Sequence, residues 1–232
     1  MALVKFGGGV VGMSGSIAGT TFARNRSGSY ARAKTKPINP NTTLQNLVRA
    51  TFAMLSARWA QTLTEAQRTA WNLYASSVSM KNRLGESINL TGYNHYIRSN
   101  TFLKMRGETL VDAGPTTFEL PEQDPTITCT PAAAGQAVAL VFDDTMDWVD
   151  EDDAFLIIRE GSPQNPQREF FSGPFLGFKD KGGSVGAPKS SPESFTTLHV
   201  LTEGQKVWYE MRIIRADGRL SNPWMVYGIV TA

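Results

Sequence analysis

The hydrophobic residues of this chain change their period partway along, and that change constrains the fold more than any other feature. Leu44, Leu47, Val48, Phe52, Leu55 and Trp59 recur at i, i+3, i+4, i+8, i+11 and i+15, a single stripe on a helix. Val207, Tyr209, Met211 and Ile213 instead alternate with Trp208, Glu210 and Arg212, the period-two pattern of a half-buried strand. One segment cannot serve both periods, so the chain is expected to contain a helical module followed by a β module.

Capping residues sharpen the helical part. The stripe predicts a helix over residues 43–60, with Asn41 or Thr42 as its cap. Thr64-Glu65-Ala66-Gln67 is a capping box that opens a second helix running to Ser77, with Leu63 as its staple. Ala66, Ala70, Leu73 and Tyr74 are expected to face inward. Thr91 caps a third helix from Gly92 to Met105, packed through Tyr93, Tyr96, Ile97 and Leu103. Three short helices make a thin core, and such a core is expected to lean on a partner.

Gly107, Gly114, Pro115, Pro121 and Pro125 mark residues 107–126 as a linker by composition. Beyond it, strands are expected at 126–130, 137–142, 154–159, 169–173, 195–200, 206–215 and 224–230. Seven short strands with turn-rich gaps suggest a sandwich. The fold class is therefore α+β and multidomain. Residues 1–40 form an extended arm or hairpin, 41–106 a small helical region, and 127–232 an all-β immunoglobulin-like sandwich.

In the arm, Phe22-Ala23-Arg24-Asn25-Arg26 and Tyr30-Ala31-Arg32-Ala33-Lys34 flank a turn glycine, Gly28, and predict a β-hairpin ended by Pro37 and Pro40. Alternation puts Phe22, Arg24 and Arg26 on one face of the first strand. It puts Tyr30, Arg32, Lys34 and Lys36 on one face of the second. The expected product is a ribbon with a basic, aromatic-ended face, to which Phe6 adds a further aromatic.

The formal net charge of +2 conceals a division that follows the same boundary. Residues 1–107 carry fourteen Lys and Arg and only two acids, Glu65 and Glu86, while residues 108–232 carry nine Lys and Arg and nineteen acids. No acid occurs in residues 1–60. Arginine and lysine free of competing carboxylates suit phosphate contacts, so nucleic acid is one expected partner. The arm lying on an acidic protein surface is the favoured alternative, since the second module is itself acidic and a dedicated nucleic-acid domain is usually basic throughout. The arm's Gly, Val and Ile content also suits strand addition to a partner's sheet edge.

The stretch from Leu201 to Pro223, with Val207-x-Tyr209-x-Met211-x-Ile213 and then Ala216-Asp217-Gly218-Arg219-Leu220-Ser221, resembles the penultimate strand and final turn of fibronectin type III-like domains. Phe142 stands where that family often has a second-strand tryptophan, and Val207 stands where it usually has its corner tyrosine. In the first half, Phe22–Asn25, Tyr30–Arg32, Pro37–Thr43, Ser56–Trp59, Leu63–Asn72 and Gly92-Tyr93 resemble an uncharacterised group of tailed-phage virion structural proteins. That resemblance implies a structural role in a virus particle.

Other motifs carry less. Gly7-x-Gly9-x-x-Gly12 matches the letters of a dinucleotide fingerprint, but Met13-Ser14-Gly15-Ser16 follows and no acid occurs before Glu65. Met13 also occupies the place of a P-loop lysine. Asp143, Asp144, Asp147, Asp150, Glu151, Asp152 and Asp153 supply oxygen ligands without EF-hand spacing, and read as a solvated loop that docks a basic surface. His95 and His199 have no partners at metal-ligand spacing, and Cys129 is the single cysteine, so no metal site, disulfide or cofactor is expected. No Gly-x-Ser-x-Gly elbow or His-Glu-x-x-His motif occurs, and no catalytic residue is assigned. No signal-like or membrane-spanning apolar run is read, so sequons at Asn25, Asn41 and Asn89 carry no weight and the sequence suggests folding in the host cytoplasm.

The reading is a non-enzymatic virion structural protein, most simply a capsid decoration or minor capsid protein. Its partners would be other virion proteins, capsid or neck and tail subunits, and copies of itself, with no membrane involved. A neck or tail accessory protein is the first alternative, and a nucleic-acid-binding protein using the arm is the second. A carbohydrate-binding sandwich with Trp148, Trp208 and Trp224 as exposed aromatics is a third.

Overall fold

The computed structural model describes residues 2–36, 38–82 and 84–232, with Phe178 described in its backbone alone. The turn expected at Pro37 lies outside the described residues. Strands β1 (Ala2–Leu3), β2 (Gly15–Ile17), β3 (Thr20–Asn25) and β4 (Gly28–Ala33) form an antiparallel sheet in the order β1-β4-β3-β2. Its hairpin closes over Arg26 and Ser27. Asn25 Oδ1 accepts the Ser27 N–H at 2.9 Å, and Gly28 takes a φ of +115°, a conformation that favours glycine. No residue between 2 and 36 is buried.

The helices form where their caps predict. Helix α1 (Thr43–Gln61) is capped by Thr42, and α2 (Glu65–Ser77) by the Thr64/Gln67 box. Helix α3 (Gly92–Arg106) is capped by Thr91 and ends on the left-handed Gly107. A small hairpin, β5 (Met80–Lys81) and β6 (Ser87–Ile88), lies between α2 and α3. The helical core gathers Leu55, Leu63, Trp71, Tyr74, Val78, Tyr96 and Ile97. Its rings meet mostly edge to face: Trp71 lies 5.7 Å from Tyr96 and 6.0 Å from Tyr74.

Two expected packing faces are corrected here. Only Leu55 of the α1 stripe is fully buried; Leu44 and Leu47 are each 49% exposed and Phe52 is 44% exposed. The first two turns of α1 contain no buried residue. In α2 the buried residues are Trp71, Tyr74 and Ala75, whereas Ala66 and Leu73 face solvent. The large aromatic surface of Trp71 turns the helix by roughly one residue step and overrides the weaker alanine pattern. Helix α3 is buried on several sides at once, at His95, Tyr96, Ile97, Ser99, Asn100 and Leu103, because it lies between the other helices and the β module.

The β module comprises β7 (Thr128–Ala132), β8 (Ala137–Val141), β9 (Phe155–Gly161), β10 (Phe175–Gly182), β11 (Glu193–Thr196), β12 (Lys206–Ile214) and β13 (Trp224–Ile229). A four-stranded sheet in the order β10-β9-β12-β13 and a three-stranded sheet in the order β11-β8-β7 share one core. Val138 and Leu140 of one sheet pack with Leu156, Ile158, Val207, Tyr209, Met211 and Ile213 of the other. The buried Asp124 carboxylate fixes the entry, accepting the N–H groups of Thr126 and Asp143, both at 2.8 Å. The architecture is thus three helices with several antiparallel sheets, an α+β fold.

The fourth strand expected at 169–173 is β10 instead, and β11 begins and ends earlier than 195–200. Phe175-Leu-Gly-Phe-Lys-Asp-Lys-Gly carries two glycines and a register shift between Leu176 and Lys179, which hide its alternation. Residues 169–173 do other work. Phe171 stacks on Trp208 at 5.8 Å and covers the outer face of the sheet.

Residues 107–126 contain no helix or strand, yet they are packed rather than loose. Leu110, Val111 and Leu120 lie against the helical core, and Pro115 and Pro121 are buried. Leu103 of α3 joins Phe155, Ile157, Ile214 and Leu220 in a third cluster that ties the helices to the outer face of the four-stranded sheet. The partner on which the thin helical core leans is therefore the same chain's β module.

Candidate functional site

The antiparallel register decides where the arm's side chains point, because residues directly opposite each other share a face. Phe22 pairs with Ala31 and Arg24 with Ser29, whereas Tyr30 pairs with Ala23 and Arg32 with Thr21. Arg24 and Arg32 consequently lie on opposite faces, and the single basic face expected from the sequence is not formed. Each face instead carries one aromatic, one arginine and one aliphatic residue. Phe22, Arg24 and Ile17 share the first face; Tyr30, Arg32 and Leu3 share the second. Arg26 sits in the turn, and Lys34 and Lys36 lie beyond the last strand. Phe6 is half-buried between β1 and β2.

Among the described residues, Arg24, Arg26, Arg32, Lys34 and Lys36 are exposed and form no ion pair. Lys5 pairs with Glu86 at the small hairpin, the ion pair that links the sheet to the helical module. The hairpin tip, through Arg26 and Ser27, borders a cavity of about 220 Å³ whose other wall is Ile88–Thr91 and Asn94. The glycines of Gly7-x-Gly9-x-x-Gly12 lead into β2 and not into a helix, so nothing there presents a helix N-terminus to a pyrophosphate.

The acidic loop is largely engaged within the chain. Asp147 and Glu151 both hold Arg215, Asp143 caps its own turn through Thr145, and Asp152 accepts the Val185 N–H at 3.0 Å. Among the described residues Asp150 and Asp153 are exposed and without a partner, and Asp144 makes one long contact to the Ser191 N–H. Free carboxylates come together elsewhere. Glu119 and Glu122 of the connection face Asp147 across a cleft of about 290 Å³ that Trp148 also lines. The side chains of Glu119 and Glu122 have no partner among the described residues. The two arginines in the cleft are already neutralised, Arg215 as above and Arg219 by Asp217 at 2.6 Å. Sequence reasoning missed Glu119 and Glu122 because they stand apart from the aspartate run. Their signal was two acids flanking Pro121 with no basic residue nearby.

Several ionisable groups are buried. His95 is buried against Tyr74, ring centroids 5.1 Å apart, and burial with Arg98 nearby lowers its pKa to about 4. Burial raises Tyr74 to about 12 and Cys129 to about 12. Arg98 is lowered to about 10 by burial and by Arg212, and spends its donors on the carbonyls of Leu220 and Ser221. Trp148 and Trp208 are buried and Trp224 is half-buried, so they form no exposed aromatic platform. Among the described residues no group of three or more His, Cys, Asp or Glu side chains is placed to hold a metal ion, and no helix is long and apolar enough to cross a membrane.

No family model matches the chain, and no curated protein matches it. Among the solved structures that match is a Fn3-like protein from Clostridium thermocellum, with a TM-score of 0.29 and 10% identity over 49% of this chain and 97% of that one.

Proposed function

We propose that this chain is a structural subunit that docks on neighbouring proteins through its N-terminal sheet and performs no catalysis. The observation that carries this reading is that residues 2–36 fold into a four-stranded sheet without burying a single residue. A sheet normally hides at least one face, and an uncovered one is poorly stable alone. Two faces of like composition, each with an aromatic and an unpaired arginine, suit insertion between two protein surfaces.

The resemblance of the first half to tailed-phage virion proteins supports placing that role in a virus particle, as a capsid decoration or minor capsid protein, with a neck or tail position as the alternative. The β module is read as an immunoglobulin-like sandwich. Its first, second and fifth strands make one sheet, and its third, fourth, sixth and seventh make the other. Nucleic-acid contact by the arm is a second reading, favoured by five arm cations that form no ion pair among the described residues and by the lack of any carboxylate in residues 1–60. It predicts a steep log-linear loss of binding with salt.

The experiment is co-sedimentation with assembled particles from producing cells. The full chain is expected in the particle fraction and a chain lacking residues 1–36 in the soluble fraction, with both showing the same thermal unfolding. An arm-less chain that still enters particles overturns the docking role.

A further inference from the structure

We infer that the partner of the N-terminal sheet is a second copy of this chain, whose acidic cleft between residues 119–122 and 145–148 receives the sheet's unpaired arginines. This inference rests on the docking role proposed above and names its partner. Charge complementarity selects the occupant. The first half of the chain carries a surplus of twelve positive charges and the second a surplus of ten negative ones, so each copy presents both halves of the contact. Among the described residues Arg24 and Arg32 are exposed and without ion pairs, while Glu119 and Glu122 are carboxylates without partners lining a cleft. The cleft's volume, about 290 Å³, admits a long side chain and excludes a whole strand. At its floor Trp148 is 2% exposed, and its indole N–H has no acceptor among the described residues.

Within one molecule Lys5 pairs with Glu86 and the hairpin tip borders residues 88–94, and among the described residues neither Arg24 nor Arg32 forms an ion pair with Glu119 or Glu122. The contact is therefore made between copies. Because Arg24 and Arg32 leave opposite faces of the sheet, one arm reaches either of two flanking neighbours.

The test is sedimentation velocity on the full chain across concentration and salt. Concentration-dependent self-association that weakens with salt is expected. The double variants Arg24→Glu/Arg32→Glu and Glu119→Lys/Glu122→Lys should each weaken it by about tenfold or more, as the loss of close charge pairs does. All four positions are on the surface, and thermal unfolding confirms that both variants fold. Mixing the two reversed variants should restore association. A wild-type chain that stays monomeric at every concentration overturns the inference, as does association indifferent to the Glu119 and Glu122 changes. Binding of a short DNA duplex that is lost with Arg24 and Arg32 reversed, without any self-association, assigns the arm to nucleic acid and also overturns it. A monomer that still enters particles through its arm overturns the second-copy partner alone and leaves the docking role standing.

Discussion

Arg58 of α1 and Asp112 of the connection, 54 residues apart, form a two-pronged ion pair, with Nε donating to Oδ1 at 2.8 Å and a terminal nitrogen donating to Oδ2. The Tyr96 hydroxyl donates to the same carboxylate at 3.1 Å, and the Asp112 backbone carbonyl accepts the Trp71 indole N–H at 3.0 Å. One residue of a segment that reads as linker thus fastens all three helices.

Asp112→Asn is expected to destabilise the chain by about 1–2 kcal/mol, a value reduced for the partial exposure of the pair. The Arg58 hydrogen bond holds the Asp112 carboxyl below its ordinary value of 3.8. A depressed folded-state pKa means that the stabilisation is complete above that ordinary value and is lost as pH falls through the lower folded one. Unfolding curves from neutral pH to pH ~2 should therefore converge for wild type and variant at the acid end; a constant gap would sink this account.

His95 gives an acid sensitivity over a higher range. Burial lowers its folded pKa from 6.5 to about 4, so the unfolded chain binds the proton first. Its effect on stability is nil above 6.5, and stability then falls as pH drops towards 4, by on the order of 3 kcal/mol in all. His95→Phe should flatten this part of the pH–stability profile, which chemical denaturation between pH 7 and 4 measures.

Arg98 couples the two modules. Replacing it with alanine strips the carbonyls of Leu220 and Ser221 of their donor inside a packed interface. The expected cost is about 2–4 kcal/mol, and the more informative readout is cooperativity. Helical and β signals should unfold together in the wild type and separate in Arg98→Ala. Coincident transitions in the variant would show that the apolar cluster around Leu103 and Phe155 suffices.

The α1 stripe permits a direct comparison. Leu55→Ala should cost about 2–5 kcal/mol, as a fully buried leucine does. Phe52→Ser, one turn away and exposed, should change stability by less than about 0.5 kcal/mol. Equal losses in thermal unfolding would mean that the first turns of α1 are packed in the isolated chain.

Gly114→Ala tests the packing of the connection. A β-carbon there would lie 2.6 Å from the Ala70 carbonyl carbon and the Trp71 nitrogen, both backbone atoms that cannot swing aside. A loss of about 1–3 kcal/mol is expected, of the size overpacking brings, and a neutral outcome would show that the connection moves freely away from α2.

These cases also show what was legible in the residues. Thr42, Thr64 and Thr91 mark the helix starts, because capping is local chemistry. Lys206–Ile214 is visible because its partners lie on both sides and its alternation is strict. Strand β10 was not, since an edge strand with a register shift at Gly177 need not alternate. The arm's cations were readable as residue types, but their faces were not: which residue stands opposite Arg24 depends on the length of the turn. Glu119 and Glu122 acquire meaning only when the fold brings Asp147 to them from a distant loop.

The uncovered N-terminal sheet has a consequence for how the chain can vary. None of the three clusters draws a side chain from residues 2–36, and the exposed Lys5–Glu86 pair is worth little, so a protease that trims them should cost the remainder little stability. Substitutions there should be nearly as silent in folding. Selection perceives that segment only through whatever lies against it, and its sequence can follow a changing neighbour while the scaffold behind it stays fixed.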